Sequence, residues 1–226
     1  MKKTAKLYKF PIGAEYWKSA LGELEDIRCL VICALLCAIA IVIETFQIAI
    51  IPNVLYISFS FVAISLCSFL TGPIMAIPCG IIVDIVGALI NGYSFYFGYT
   101  LSAVLGALIY ALFFYRAKVS FERIALARLL VNIFVNVLLG SLWRLAWTSK
   151  HYLTLVMLSG IKNILLFPFE VFIMVIFFRS ILPPISRLGL CPPQTVSLSK
   201  TKLIITAAVA VAGMAALIYC TSKGLL

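Results

Sequence analysis

Arg128, Asn132, Asn136, Trp143 and Arg144 interrupt an otherwise apolar run, RIALARLLVNIFVNVLLGSLWRLAW, at residues 123–147. At roughly 100° per residue, Arg128, Asn132, Asn136, Trp143 and Trp147 share one helix face. A stripe of this kind cannot face lipid without heavy cost, so it must face protein or a cavity. Lys162 and Asn163 stand in a second apolar run, and aromatic side chains cluster at Tyr93, Phe95, Tyr96, Phe97 and Tyr99. Amides, rings and cations in combination suit a planar heteroaromatic anion. Rings stack on it, amides read its edge and cations hold its carboxylates. Gln47, Tyr96, Phe97, Tyr99, Asn136, Trp143, Arg144, Lys162 and Asn163 are the candidate substrate-binding residues.

Other chemistry finds little support. Glu44, Asp84 and Glu170 are intramembrane acids, and buried acids usually pair. Arg128 comes within reach of Glu170 if its side chain extends, so these two are read as an internal ion pair, while Asn132 admits either role. Seven cysteines include Cys29, Cys33 and Cys37 at four-residue spacing, but no Cys-x-x-Cys or Cys/His metal spacing, so they read as small apolar packing and no metal or cofactor is expected. His151 is the sole histidine and has no visible catalytic partner. With no P-loop sequence, ATP-driven transport would need its energy from another subunit. No paired nucleophile and base supports an intramembrane enzyme.

The elements that must position these residues are membrane helices. Hydrophobic residues make up 64% of the 226, charged residues 12%, and mean hydropathy is +1.15. Seven apolar segments can be drawn, 28–50, 54–70, 74–90, 97–115, 124–147, 156–178 and 203–220, long enough for helices rather than barrel strands. Pro52-Asn53, Thr71-Gly72-Pro73, Asn91-Gly92, Lys150-His151 and Pro183-Pro184 punctuate them. Residues 15–27 read as a short interfacial helix carrying Tyr16, Trp17, Leu21 and Leu24, and the first 27 residues contain no signal-peptide core.

Basic residues set the expected orientation. Lys2, Lys3, Lys6, Lys9, Lys18 and Arg28 precede the first segment, Arg116, Lys118 and Arg123 follow the fourth, and Arg179, Arg187, Lys200 and Lys202 follow the sixth. The positive-inside rule places the N-terminus in the cytoplasm. The +10 net charge is then membrane topology and not a nucleic-acid footprint, because the charges flank spans.

Ala34-Leu-Leu-Cys-Ala38 is a small-xxx-small pattern in the first segment. With the basic link before segment 5 and the N-terminus inside, it resembles the substrate-binding S components of the energy-coupling factor vitamin transporters. Finer matches are similar to the folate-specific branch: Glu15-Tyr-Trp-Lys-Ser-Ala-Leu-Gly-Glu23, Leu70-Thr-Gly-Pro73 with Asp84 and Gly87, Gly98-Tyr-Thr-Leu-Ser102, Ala127-Arg-Leu-Leu-Val-Asn132 through Trp143, Ile161-Lys-Asn163, and Pro168. The match covers about residues 14–180. Two departures stand out: Gly160 where a basic residue is expected, and an extra seventh segment.

The resemblance implies an all-α polytopic fold, a six-helix S-component core with one additional C-terminal helix. It implies no enzyme but capture of folate or a close pteridine on the extracellular face. Ala34 and Ala38 would contact a membrane T component, itself coupled to two ATPase subunits. The expected organisation is 1–27 interfacial, 28–182 membrane domain, 183–202 cytoplasmic linker and 203–226 extra helix. An S component for another vitamin is the alternative. Thiamine would want acids at the site, and neutral riboflavin would not need Arg144 and Lys162. A self-sufficient secondary transporter would show an internal repeat, and none is clear.

Overall fold

The computed structural model describes residues 13–46, 48–51, 55–92, 94–149, 151–196 and 199–223. Its elements in chain order are α1 (Ala14–Gly22), α2 (Ile27–Thr45), β1 (Ile48–Ile51), β2 (Leu55–Ile57), α3 (Ser60–Asn91) and α4 (Phe97–Phe114). Then come α5 (Phe121–Leu130), a π-helical segment (Val131–Leu139), α6 (Gly140–Arg144), α7 (Tyr152–Arg187) and α8 (Lys200–Ser222). Six helical stretches among the described residues are long and apolar enough to cross a membrane. The protein is an all-α polytopic membrane protein.

The first apolar segment is shorter than expected. Helix α2 stops at Thr45, and β1 pairs antiparallel with β2, where the sequence reading had continued one helix and begun the next. Isoleucine-rich Ile48-Ala-Ile-Ile51 prefers an extended, pleated backbone once the helix has ended.

The chain forms two compact units, Met1–Val119 with Ser180–Thr195 and Ser120–Arg179 with Val196–Leu226. In the first, α3 packs against α2 and α4. Helix α3 is two helices, because Gly72 has φ 81° and ψ 179°. An unbroken helix would hold Cys67 and Cys79 about 18 Å apart at 1.5 Å per residue. Their sulfurs lie within 4.8 Å of each other, so the chain doubles back at Thr71-Gly72-Pro73. Buried hydroxyls in the first half are satisfied: Ser65 donates to the Val62 carbonyl, Thr71 to that of Cys67, and Ser68 to Ala107 on α4 at 3.0 Å. A Cβ at Gly72 would sit 3.0 Å from the Tyr115 ring, in a backbone region open essentially to glycine alone. Gly72→Ala is therefore expected to cost about 2–3 kcal/mol. In a thermal melt of purified protein it should lower Tm by roughly 4–10 °C, and an unchanged melt would mean the hairpin is not under this constraint.

Helix α1 packs one face against the rest of its unit. Trp17, Leu21 and Leu24 are exposed, but Tyr16 and Ala20 are fully buried against Tyr115. The Tyr16 hydroxyl donates to the Ala111 carbonyl at 3.2 Å, and Glu23 accepts from both Tyr115 and Arg116 at 2.9 Å. Burial pushes the Tyr16 and Tyr115 hydroxyls up from their usual pKa, so both stay protonated donors. The Pro183-Pro184 pair does not end α7, which runs on to Arg187 because a proline's fixed φ is compatible with the helix. The last turns of α7 bury Leu182 and Ile185, and beyond the helix Gln194 Oε1 accepts from the Val119 N–H at 3.2 Å.

In the second unit, α5, the π segment and α6 run as one apolar span, Phe121–Arg144. Ser120 caps it by accepting from the Arg123 N–H. Helix α8 docks on α7 with Ala210 and Leu217 buried. The approach is close: a Cβ at Gly213 would fall 2.5 Å from the Leu165 carbonyl oxygen. Small residues allow this contact, as they do at other intramembrane crossings.

Candidate functional site

A polar ladder joins the Phe121–Arg144 span to α7 inside the second unit. Arg128 Nε and Nη2 donate to Glu170 Oε2 and Oε1 at 2.8 and 2.5 Å, a bidentate pair in which both residues are buried. Asn132 Nδ2 adds a third bond to Glu170 Oε2 at 2.7 Å. Asn136 Nδ2 then donates to Asn132 Oδ1 at 2.8 Å and toward Asn163 Oδ1 at 3.4 Å. Asn163 donates to the Ser159 carbonyl at 2.8 Å. At the far end Arg144 donates to the Gly140 carbonyl at 3.1 Å, to Ser141 Oγ at 3.3 Å and to Ser159 Oγ.

The arrangement divides the polar stripe by role. Arg128, Asn132 and Glu170 saturate one another, so they hold helices together and have little left for a solute. Asn136 uses its amide N–H group on two neighbours, and no described residue donates to its Oδ1. Among the described residues Arg144 is held by neutral acceptors, with no carboxylate paired to it.

Lys162 lies within electrostatic reach of Arg144 and of Glu170. Among the described residues no hydrogen bond or ion pair engages its ammonium group. Lys162 and Arg144 are thus two basic side chains within reach of each other, and Glu170 is already chelated by Arg128. Such a pair is unfavourable by itself and is relieved by an entering anion. Trp143 is half-buried beside Arg144 in sequence, whereas Trp147 is exposed.

The π-helical segment Val131–Leu139 is what aims these residues. Its i→i+5 bonding widens the turn, and the Gly140 N–H reaches back to the Val135 carbonyl. Trp143 and Arg144 consequently leave the uniform 100° progression drawn from the sequence. π-Segments recur where function demands a locally re-aimed face. Ser141 and Ser159, which orient Arg144, escaped the sequence reading. Their signal was present, since Ser159 precedes Lys162 and Asn163 by about one turn on the same helix.

Tyr96, Phe97 and Tyr99 lie in the first unit, where Tyr96 and Tyr99 meet edge to face with centroids 5.8 Å apart. Phe97 is 72% exposed. Asp84 accepts from Thr100 at 2.6 Å, which ties α3 to α4. Glu44 lies against Gly87, where a Cβ would meet its Oε2 at 3.0 Å. Gln47 lies outside the described residues. Ala34 and Ala38 are exposed on α2, flanked by exposed Val31, Leu35, Ile39 and Val42, while Cys33 and Cys37 on the opposite face are buried.

No family model matches the chain. Curated proteins do. The folate transporter FolT of Leuconostoc mesenteroides subsp. mesenteroides is 34% identical over 153 residues, 65% of this chain and 82% of that protein. The folate transporter FolT of Clostridium novyi (strain NT) is 34% identical over 116 residues, 51% of this chain and 67% of that one. Among solved structures, that of FolT bound with folic acid superposes with a TM-score of 0.59 at 27% identity, covering 66% of this chain and 91% of its own.

Proposed function

This chain belongs to the FolT family of folate transporters, and from that membership we propose that it is the folate-binding S component of an energy-coupling factor transporter. It captures folate or a close pteridine on the extracellular side of the bacterial membrane, with its N-terminus in the cytoplasm. It performs no chemical conversion. One observation supports the ligand's sign of charge: Arg144 and Lys162 face each other's charge with Glu170 already committed to Arg128. The glutamate tail of folate carries carboxylates that need compensation once removed from water, and these two cations supply it. Asn136 and Asn163 are proposed to read the edge of the pterin, and Trp143 to stack on its ring. Gln47, Tyr96, Phe97 and Tyr99 are proposed as further contacts on the strength of their residue types.

Isothermal titration of the purified protein with folic acid tests this reading. Failure to bind folic acid or any tail-less pterin would remove it. A thiamine site is disfavoured on the same observation, because a cationic ligand gains nothing from two unneutralised cations.

Uptake against a gradient then depends on partners, a membrane T component and two ATPase subunits. The exposed Ala34 and Ala38 give α2 a flat strip on which a partner helix can approach closely. Tryptophan at either position is expected to abolish co-purification with the T component and folate uptake while leaving folate affinity within about twofold, since bulk on this face touches no ligand group. Equal loss of folate binding would assign these alanines to packing within the chain.

A further inference from the structure

Four of the seven cysteines meet at one point. Cys33 and Cys37 of α2, Cys67 of the first half of α3 and Cys79 of its second half place their sulfurs all within 4.8 Å of one another. The Cys37–Cys79 separation is 2.9 Å and the Cys33–Cys67 separation 3.6 Å. All four residues are buried, with exposures of 6, 4, 0 and 1%. Use as small apolar filler accounts for their burial but not for four sulfurs converging from three helical pieces.

From this convergence we propose that Cys33, Cys37, Cys67 and Cys79 form a mononuclear site for a soft d10 metal ion, with zinc(II) as the occupant. A tetrahedral tetrathiolate with metal–sulfur bonds of about 2.3 Å sets its sulfurs about 3.8 Å apart. The sulfur separations, from 2.9 Å to no more than 4.8 Å, bracket that spacing. An iron–sulfur cluster spreads its cysteines around several iron atoms and needs a wider cage. The donor set is all sulfur, which selects zinc or copper(I) over magnesium or calcium, and it is closed, which marks a structural rather than a catalytic centre.

One zinc(II) bound by four cysteines takes them as thiolates, so four protons are released on binding. Oxidation state does not change, so the step needs no oxidant. The ion would clamp the α3 hairpin to α2, and so hold the helix whose opposite face carries Ala34 and Ala38.

The test is metal analysis of the full-length protein, grown with zinc and purified in detergent with its tag removed and without chelators. Elemental mass spectrometry should find about one zinc per chain, retained in Cys191→Ser/Cys220→Ser and lost in Cys33→Ser/Cys79→Ser. Because the latter variant can fail to fold, cobalt(II) titration of the unsubstituted protein supplies a second readout. Sulfur-to-cobalt charge-transfer bands and tetrahedral visible bands are expected, and zinc should abolish them. Three results would overturn the proposal: no zinc together with no cobalt–thiolate absorption, ready alkylation of all four thiols in the zinc-grown protein, or recovery of Cys37–Cys79 or Cys33–Cys67 as a disulfide.

Discussion

Glu170→Ala is expected to destabilise the protein by about 3–5 kcal/mol, the largest effect of any single substitution in the second unit. The carboxylate accepts two bonds from Arg128 and one from Asn132, all in a buried setting. Its removal leaves a guanidinium uncompensated and an amide donor unpaired in low dielectric. The damage comes from the orphaned charge, and that makes a distinguishing experiment available. Removing both partners in Arg128→Met/Glu170→Leu eliminates the charges together, so it should recover most of the loss. Thermal melts in detergent give the comparison, with a fall in Tm on the order of ten degrees for Glu170→Ala and a much smaller one for the double variant. Equal loss in both would show that Arg128 and Glu170 contribute through packing and not through their pairing.

Lys162→Ala should weaken folate binding by roughly ten- to a hundredfold, which corresponds to the 1.5–3 kcal/mol of a charge-assisted contact. Its ammonium group is not engaged by any described residue, so the substitution removes no internal bond and stability should hold or rise. Relief of repulsion with Arg144 works in the same direction. Ligands without the glutamate tail should lose much less, while Trp143→Ala should weaken folate and a tail-less pterin alike by removing a stacking face. Titration calorimetry of both variants against both ligands separates the two roles. Unchanged folate affinity in Lys162→Ala would move the anion site away from the Arg144–Lys162 pair. Arg144→Ala is less clean, because its guanidinium also bridges Ser141 and Ser159 across two helices.

Much of this protein is written in local chemistry. Apolar runs near twenty residues long specify membrane helices wherever they occur, because a backbone in hydrocarbon must satisfy its own hydrogen bonds. Thr71-Gly72-Pro73 announced a break, since proline cannot donate and glycine alone accepts the required φ. Polar residues inside such runs announced partners within the protein on the same ground, the cost of leaving them unpaired in lipid. That logic reached Arg128, Asn136, Arg144, Lys162 and Asn163, and it set Ala34 and Ala38 apart as small residues at a four-residue interval.

What spacing could not supply was partnership across the chain. Asn132 admitted either role until Glu170, 38 residues away, took its amide. The π-helical turn that re-aims Trp143 and Arg144 has no sequence signature of its own, because it depends on how the span packs against its neighbours. The cysteines are the sharpest case. Along the chain, Cys33 and Cys37 form an unremarkable pair one turn apart, and Cys67 and Cys79 are twelve residues from each other. Only the reversal at Gly72, packed against α2, brings four sulfurs to one point, and distance in space is the quantity that ligand chemistry reads.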